Sequence, residues 1–205
     1  MANEIDRVVP PALPLAPEDY ERPYMDQNSN VLRLFFTRLT NVVNTLLSAD
    51  VGGKFLYNPC AAFYSTQDQT ASVVNTGYAV TFNNTSYTST VTLSNNSRIN
   101  VQNSGVYKFD VTLQLEHNNS SETPVTVWEQ KNGSPIAYSA HKFDVKGNDD
   151  YVVHWGFTVP LVANDYIEVY WATGDTQLNL HTAIASSPHP GIPSASIDIS
   201  FVSNV

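Results

Sequence analysis

The chain has a single cysteine, Cys60. It can form no internal disulfide and has no second thiol with which to share a metal, so the fold owes nothing to oxidation. Its expected place is as a small buried hydrophobe in a strand. Basic residues are also scarce: ten Lys and Arg face nineteen Asp and Glu, for a formal net charge of −9. They are scattered from Arg7 to Lys146. With no basic patch to neutralise phosphates, direct nucleic-acid binding is not expected. No apolar run approaches the ~20 residues of a membrane-spanning helix. The start, MANEIDRVVPPALPLAP, is acidic and proline-broken, unlike a secretory leader. The expectation is a soluble protein made in a cytoplasm, with no membrane partner.

Motifs for chemistry are missing as well. None of the five histidines, His117, His141, His154, His181 and His189, stands at an H-x-x-x-H spacing or beside a cysteine pair. There is no G-x-S-x-G elbow. Asp149-Asp150 after Gly147-Asn148 reads as a solvated turn, since the D-x-D-x-D ladder of a calcium loop is absent. No carboxylate pair is singled out for glycoside hydrolysis. The sequence therefore assigns no catalytic residue, no metal ligand and no cofactor, and it contains no repeat of solenoid period.

What the chain does contain is alternation. From Gly105 to Glu116, Tyr107, Phe109, Val111, Leu113 and Leu115 alternate with Lys108, Asp110, Thr112, Gln114 and Glu116. A period of two held this long is a strand with one buried face. Shorter strands are expected at Lys54–Tyr64, at Tyr78–Phe82, at Thr90–Leu93 and at Arg98–Val101. Others are expected at Pro124–Gln130, Ile136–Lys142, Tyr151–Val159, Ile167–Trp171, Leu178–Thr182 and Ala195–Phe201. Turn signals separate them, among them Asn132-Gly133 and Asn164-Asp165. Many short strands with no helix between them predict an all-β antiparallel sandwich over residues 53–205.

Two segments precede it. Residues 1–24 hold five of the twelve prolines. Such density blocks helix and central strand and favours extended chain. Interleaved apolar residues give it two readings: a frayed terminus, or an arm laid on another protein. The arm reading rests on Val8, Val9, Pro10, Pro11, Leu13, Leu15, Tyr20 and Tyr24. Residues 25–52 form the one helical segment, with Asp26 or Asn28 as N-cap and Gly52-Gly53 as its stop. Leu32, Phe35, Leu39, Val42 and Leu46 step by 3, 4, 3 and 4. That stripe either packs on the chain's own domain or forms a short parallel bundle about an oligomer axis.

The order of motifs resembles a known family. GVYKF, then V-T-V-W-E-Q-K-N-G-S-P-I-A, then L-V-A-N-D-Y-I-E-V is similar to the order in C1q/TNF-like jelly rolls. With Asn30–Leu39, Gly52–Phe55, Thr66–Thr70 and Asn96–Val101, the chain more specifically resembles jelly-roll virion proteins of tailed marine and cyanobacterial phages. The resemblance implies a ten-strand jelly roll in a tight homotrimer, with outward Tyr166 and Tyr170 near the axis. It implies a non-enzymatic virion-surface protein: a capsid decoration, cement or head-fibre protein whose arm grips the major capsid protein. A short tail fibre or adaptor bound to a tail protein is the alternative within that class. A module binding a receptor or host-surface glycan through loops such as Asn118–Glu122 or Ser186–Gly191 is the alternative outside it.

Overall fold

The computed structural model describes residues 12–13, 19, 21–47 and 58–204. The chain divides into two compact units, Met1–Leu56 and Tyr57–Val205. In the first, helix α1 spans Arg22–Leu47. It begins before both expected caps: the Met25 N–H already bonds to the Glu21 carbonyl. Pro23 does not delay it, because a first-turn residue has no N–H partner inside the helix to lose. Asp26 and Asn28 are thus interior residues. Asp26 pairs loosely with Arg22 at 3.9 Å. The Gly52-Gly53 stop lies outside the described residues.

Among its described residues the second unit holds fourteen strands. In chain order they are β1 (Cys60–Ser65), β2 (Gln69–Thr70), β3 (Tyr78–Ala79), β4 (Asn84–Ser89), β5 (Val91–Ser94), β6 (Arg98–Val101) and β7 (Gly105–His117), followed by β8 (Thr123–Lys131), β9 (Ser134–Pro135), β10 (His141–Val145), β11 (Asp149–Leu161), β12 (Tyr166–Thr173), β13 (Leu178–Leu180) and β14 (Ala195–Ser203). One sheet runs β2-β13-β7-β14-β1-β4, with β11 also on β7; the other runs β10-β8-β12-β6-β5, with β3 on β12 and β9 on β8. All pairings are antiparallel, and the chain crosses repeatedly between the sheets. This is an antiparallel jelly-roll sandwich.

Strand β7 is its spine. Along its whole length one edge pairs with β11; the other pairs with β14 and, at Leu115–His117, with β13. Tyr107, Phe109, Val111, Leu113 and Leu115 are all fully buried, facing Ile167, Val169 and Trp171 of the second sheet's central strand in one core. Removing each such side chain from water is worth about 1.5–3 kcal/mol. The Tyr107 hydroxyl donates to the Asn103 carbonyl at 2.7 Å, and burial pushes its pKa up to about 12.

The Lys131-Asn132-Gly133 turn has a physical role. Asn132 and Gly133 take positive φ, 52° and 78°, as a tight hairpin requires. Asn132 Oδ1 accepts from the Tyr166 N–H at 2.9 Å, and its Nδ2 donates to Asp165 at 2.7 Å. Lys131 Nζ reaches the other Asp165 oxygen at 2.8 Å. One turn is thereby bolted to the next.

Two expectations need correction, and one strand lies outside those expected. Residues 136–140 are not strand: β9 ends at Pro135 and β10 starts at His141. Strand β4 follows Phe82 where polar Asn83–Ser86 gave no alternation, and it pairs with β1. Cys60 opens β1 half-buried rather than enclosed.

Candidate functional site

On α1 no residue is fully buried. The half-buried ones are Tyr24, Asn28, Val31, Leu32, Phe35, Leu39 and Val42, whereas Leu46 is exposed at 40%. At about 100° per residue these positions fall within roughly a third of the helix circumference. Phe36, at 58% exposure, meets Phe35 edge-on at 5.6 Å between ring centres. The helix therefore presents an apolar stripe that its own unit does not enclose. Of the arm residues, Tyr24 belongs to the first helical turn and Leu13 is exposed. Val8, Val9, Pro10, Pro11, Leu15 and Tyr20 lie outside the described residues.

On the sandwich, Tyr166 and Tyr170 stand on the outer face of β12 with Glu168 between them. Both are half-buried by their own chain. The Arg98 guanidinium lies 4.7 Å from the centre of the Tyr166 ring, and Tyr170 leans on Trp128 at 5.6 Å. Glu168 is only 5% exposed; it accepts from the Ser97 hydroxyl at 2.6 Å and lies 3.5 Å from Arg98 Nε. Burial first, then the Glu168 charge, pushes the Tyr170 phenol above its usual pKa. The sequence singles out the two tyrosines but not this carboxylate, because Glu at an outward strand position reads as solvated.

The sandwich is partly open along β10 and β11. Val153, Trp155 and Phe157 point inward yet are only partly buried. Phe157 stacks on Phe109 at 4.9 Å, and Tyr151 on Phe143 at 5.9 Å. Trp155 Nε1 donates to Glu129, which is 2% exposed on the inner face of β8.

The loops add three features. A cavity of about 410 Å3 with apolar walls lies between Tyr64, Ile184 and Ile192. Tyr138 is fully exposed. A polar recess of about 310 Å3 is lined by Glu116, His117 and Asp149-Asp150. Behind it, enclosed His117 approaches Asp175 at 3.3 Å. Hydrogen bonds from the Gln177 N–H first and Asn119 next hold Asp175 below the usual carboxylate range. Among the described residues no three His, Cys, Asp or Glu side chains converge as a metal set. His154, one residue before Trp155 in β11, is exposed and contacts Thr112 at 3.0 Å. Among the described residues no helix is long and apolar enough to cross a membrane.

No family model and no curated protein sequence matches the chain. Among solved structures, murine APRIL at pH 5.0 is similar at 11% identity and a TM-score of 0.48, covering 71% of this chain and 99% of its own. The globular domain of zebrafish complement 1qA is similar at 12% identity and a TM-score of 0.47, covering 72% and 99%. The jelly-roll assignment itself rests on the strand order and register described above.

Proposed function

We propose that the chain is a non-enzymatic structural protein of a tailed-phage virion and acts as a homotrimer. In this reading α1 gathers three chains, the jelly roll projects outward, and the segment before the helix grips the particle. The observation that carries it is the stripe of Leu32, Phe35, Leu39, Val42 and Leu46 on a helix with no fully buried residue. An amphipathic helix of this length derives most of its stability from packing its apolar face. The resemblance to phage jelly-roll proteins adds the particle, with a decoration, cement or head-fibre role first and a tail fibre or adaptor second.

Light scattering on the full chain and on Leu39→Asp tests the assembly. The native chain should have three times the monomer mass, and the variant should be a folded monomer. A native monomer at micromolar concentration would overturn the trimer. Deleting residues 1–20, which leaves the helix whole, should abolish copurification with virions. Copy number per particle separates head from tail: hundreds of copies mean capsid, about a dozen mean tail.

A receptor- or glycan-binding role is favoured by one feature, the Tyr138 side chain, which makes no use of its own fold. Glycan-array binding that is lost in Tyr138→Ser would support it.

A further inference from the structure

We infer that the outer face of the second sheet carries a binding site for a neutral saccharide, centred on Glu168 and Arg98 and walled by Tyr166, Tyr170 and Trp128. The inference rests on the glycan-binding reading above and moves the site from Tyr138 to the sheet. Register places these side chains on one face. On β12, Tyr166, Glu168 and Tyr170 alternate with the core residues Ile167, Val169 and Trp171. Across the ladder, Trp128 stands opposite Tyr170 and Gln130 opposite Glu168. Arg98 joins them from β6, where its neighbour Ile99 fills the core.

The central carboxylate is held but not saturated. Glu168 is 5% exposed. Oε1 takes both of its contacts, the Ser97 hydroxyl at 2.6 Å and Arg98 Nε at 3.5 Å. Among the described residues Oε2 accepts no hydrogen bond, yet it is not sealed off and still meets solvent. Arg98 is fixed by the Tyr166 ring at 4.7 Å, with its side chain 42% exposed. Its terminal nitrogens donate to nothing among the described residues. The hydroxyls of Tyr166 and Tyr170 and the side-chain amide of Gln130 have no partner there either. An enclosed carboxylate oxygen needs a donor. Water fills that role in the free protein, and a ligand hydroxyl that reproduces its hydrogen bond can displace it.

The free groups select the ligand. One carboxylate and one guanidinium balance in charge. An anion would meet Glu168, and a cation would have to displace Arg98 from the ring it already covers. A neutral molecule with donors and acceptors side by side meets neither penalty. A sugar hydroxyl donates to Oε2 of Glu168 while a neighbouring one accepts from Arg98, both as charge-assisted bonds. The C–H face of the sugar ring lies against tyrosine and tryptophan, which pair an apolar body with a polar tip. Ser97 and Tyr166 fix both charged groups in advance, so little ordering is left for the ligand to impose. The chain at Gly77 closes one end: a Cβ there would meet the Trp128 ring at 2.8 Å.

The test titrates the full chain with glucose, galactose, mannose, N-acetylglucosamine and their disaccharides. The readout is the indole N–H resonance of Trp128, identified by its loss in Trp128→Phe. At least one sugar should shift it saturably at millimolar concentration. Glu168→Gln keeps the side chain's size and Arg98→Lys keeps the charge. Each should weaken binding about tenfold or more, with the circular dichroism of the strands unchanged. Arg98 lies outside the core, so Arg98→Lys remains a test if Glu168→Gln fails to fold. Full binding in Arg98→Lys, or tighter binding of a sulfated disaccharide, would overturn the site. So would a native trimer that Arg98→Lys turns into a monomer, because a second copy would then cover this face. Glycan-array binding that leaves Trp128 unshifted and is lost in Tyr138→Ser would overturn the site and leave the Tyr138 reading standing. No binding on the array and no Trp128 shift would overturn both.

Discussion

Trp155 donates its indole N–H to Oε1 of Glu129 at 2.7 Å, across the open side of the sandwich from β11 to β8. The acceptor is an inward-facing carboxylate that is 2% exposed, and the donor is only half-buried. The bond ties a partly open strand of one sheet to the core of the other.

Trp155→Phe keeps an aromatic in place but leaves that buried oxygen without its donor. The expected cost is about 2–3 kcal/mol. Glu129→Gln retains an acceptor at the same place and should cost less. Urea titration of the two variants checks the order, which reverses if the contact is incidental.

Asp165 gives a pH signature. Burial pushes its pKa up, but hydrogen bonds from Lys131, Asn132 and the Val162 N–H, with the lysine's charge, more than offset this and leave it lowered. A carboxyl depressed in the folded state contributes stability above its unfolded pKa of about 3.9 and loses it as pH falls through the folded value. The contribution should therefore be whole above about pH 5 and decline below about pH 4. Asp165→Asn should cost about 1–3 kcal/mol near neutrality. Its denaturation midpoint should also fall less steeply than the native one between about pH 5 and 3. Parallel curves would assign the acid sensitivity to other groups, such as Asp175.

Two glycines differ in how much backbone a side chain would strike. A Cβ on Gly105 would meet the Phe201 ring at 2.2 Å and the Ser203 carbonyl oxygen at 2.8 Å, whereas on Gly147 it would meet the Ser120 carbonyl carbon at 2.2 Å and the Asn119 carbonyl oxygen at 2.3 Å. A ring can turn aside, at the cost of overpacking, about 1–3 kcal/mol. Backbone cannot, and Asn148 next door bonds to Asn119 at 2.8 Å. Gly147→Ala should therefore lower the thermal midpoint more than Gly105→Ala, as calorimetry would show.

Tyr138 sits at φ 60°, in a turn closed by the Ser139 N–H on the Ile136 carbonyl at 3.3 Å. Tyrosine has no preference for this conformation, whereas asparagine tolerates it. The side chain touches nothing that its loss would disturb. Tyr138→Asn should stabilise the fold by about 0.5–1 kcal/mol. A loss of stability would mean that the exposed ring packs on something, such as a neighbouring copy.

The alternation of β7 was readable because its buried face is covered along the full length, so every second residue had to be apolar. Strand β11 shows the limit of that signal. Tyr151, Val153, Trp155 and Phe157 alternate just as regularly, yet Tyr151 is 44% exposed and the others are partly open. Period two marks which way side chains point, not whether anything lies over them. Strand β4 gave no signal because an edge strand can be held by backbone hydrogen bonds alone; none of its residues is buried. The helix stripe was legible from its spacing. Its start was not, because Pro23 and Glu21 serve a first turn as readily as a loop. Asn28 read as a cap, since a polar residue before an apolar run has that local use.

The sequence by itself determined the sandwich, its spine and its turn chemistry, all of which depend on residues close in the chain or on a simple period. Only the tertiary structure decided which carboxylates are enclosed, and that Glu168 and Glu129 are held by Arg98, Ser97 and Trp155. These properties arise from residues as far apart as Ser97 and Glu168, brought together by the crossing of strands between two sheets, and no local pattern encodes them.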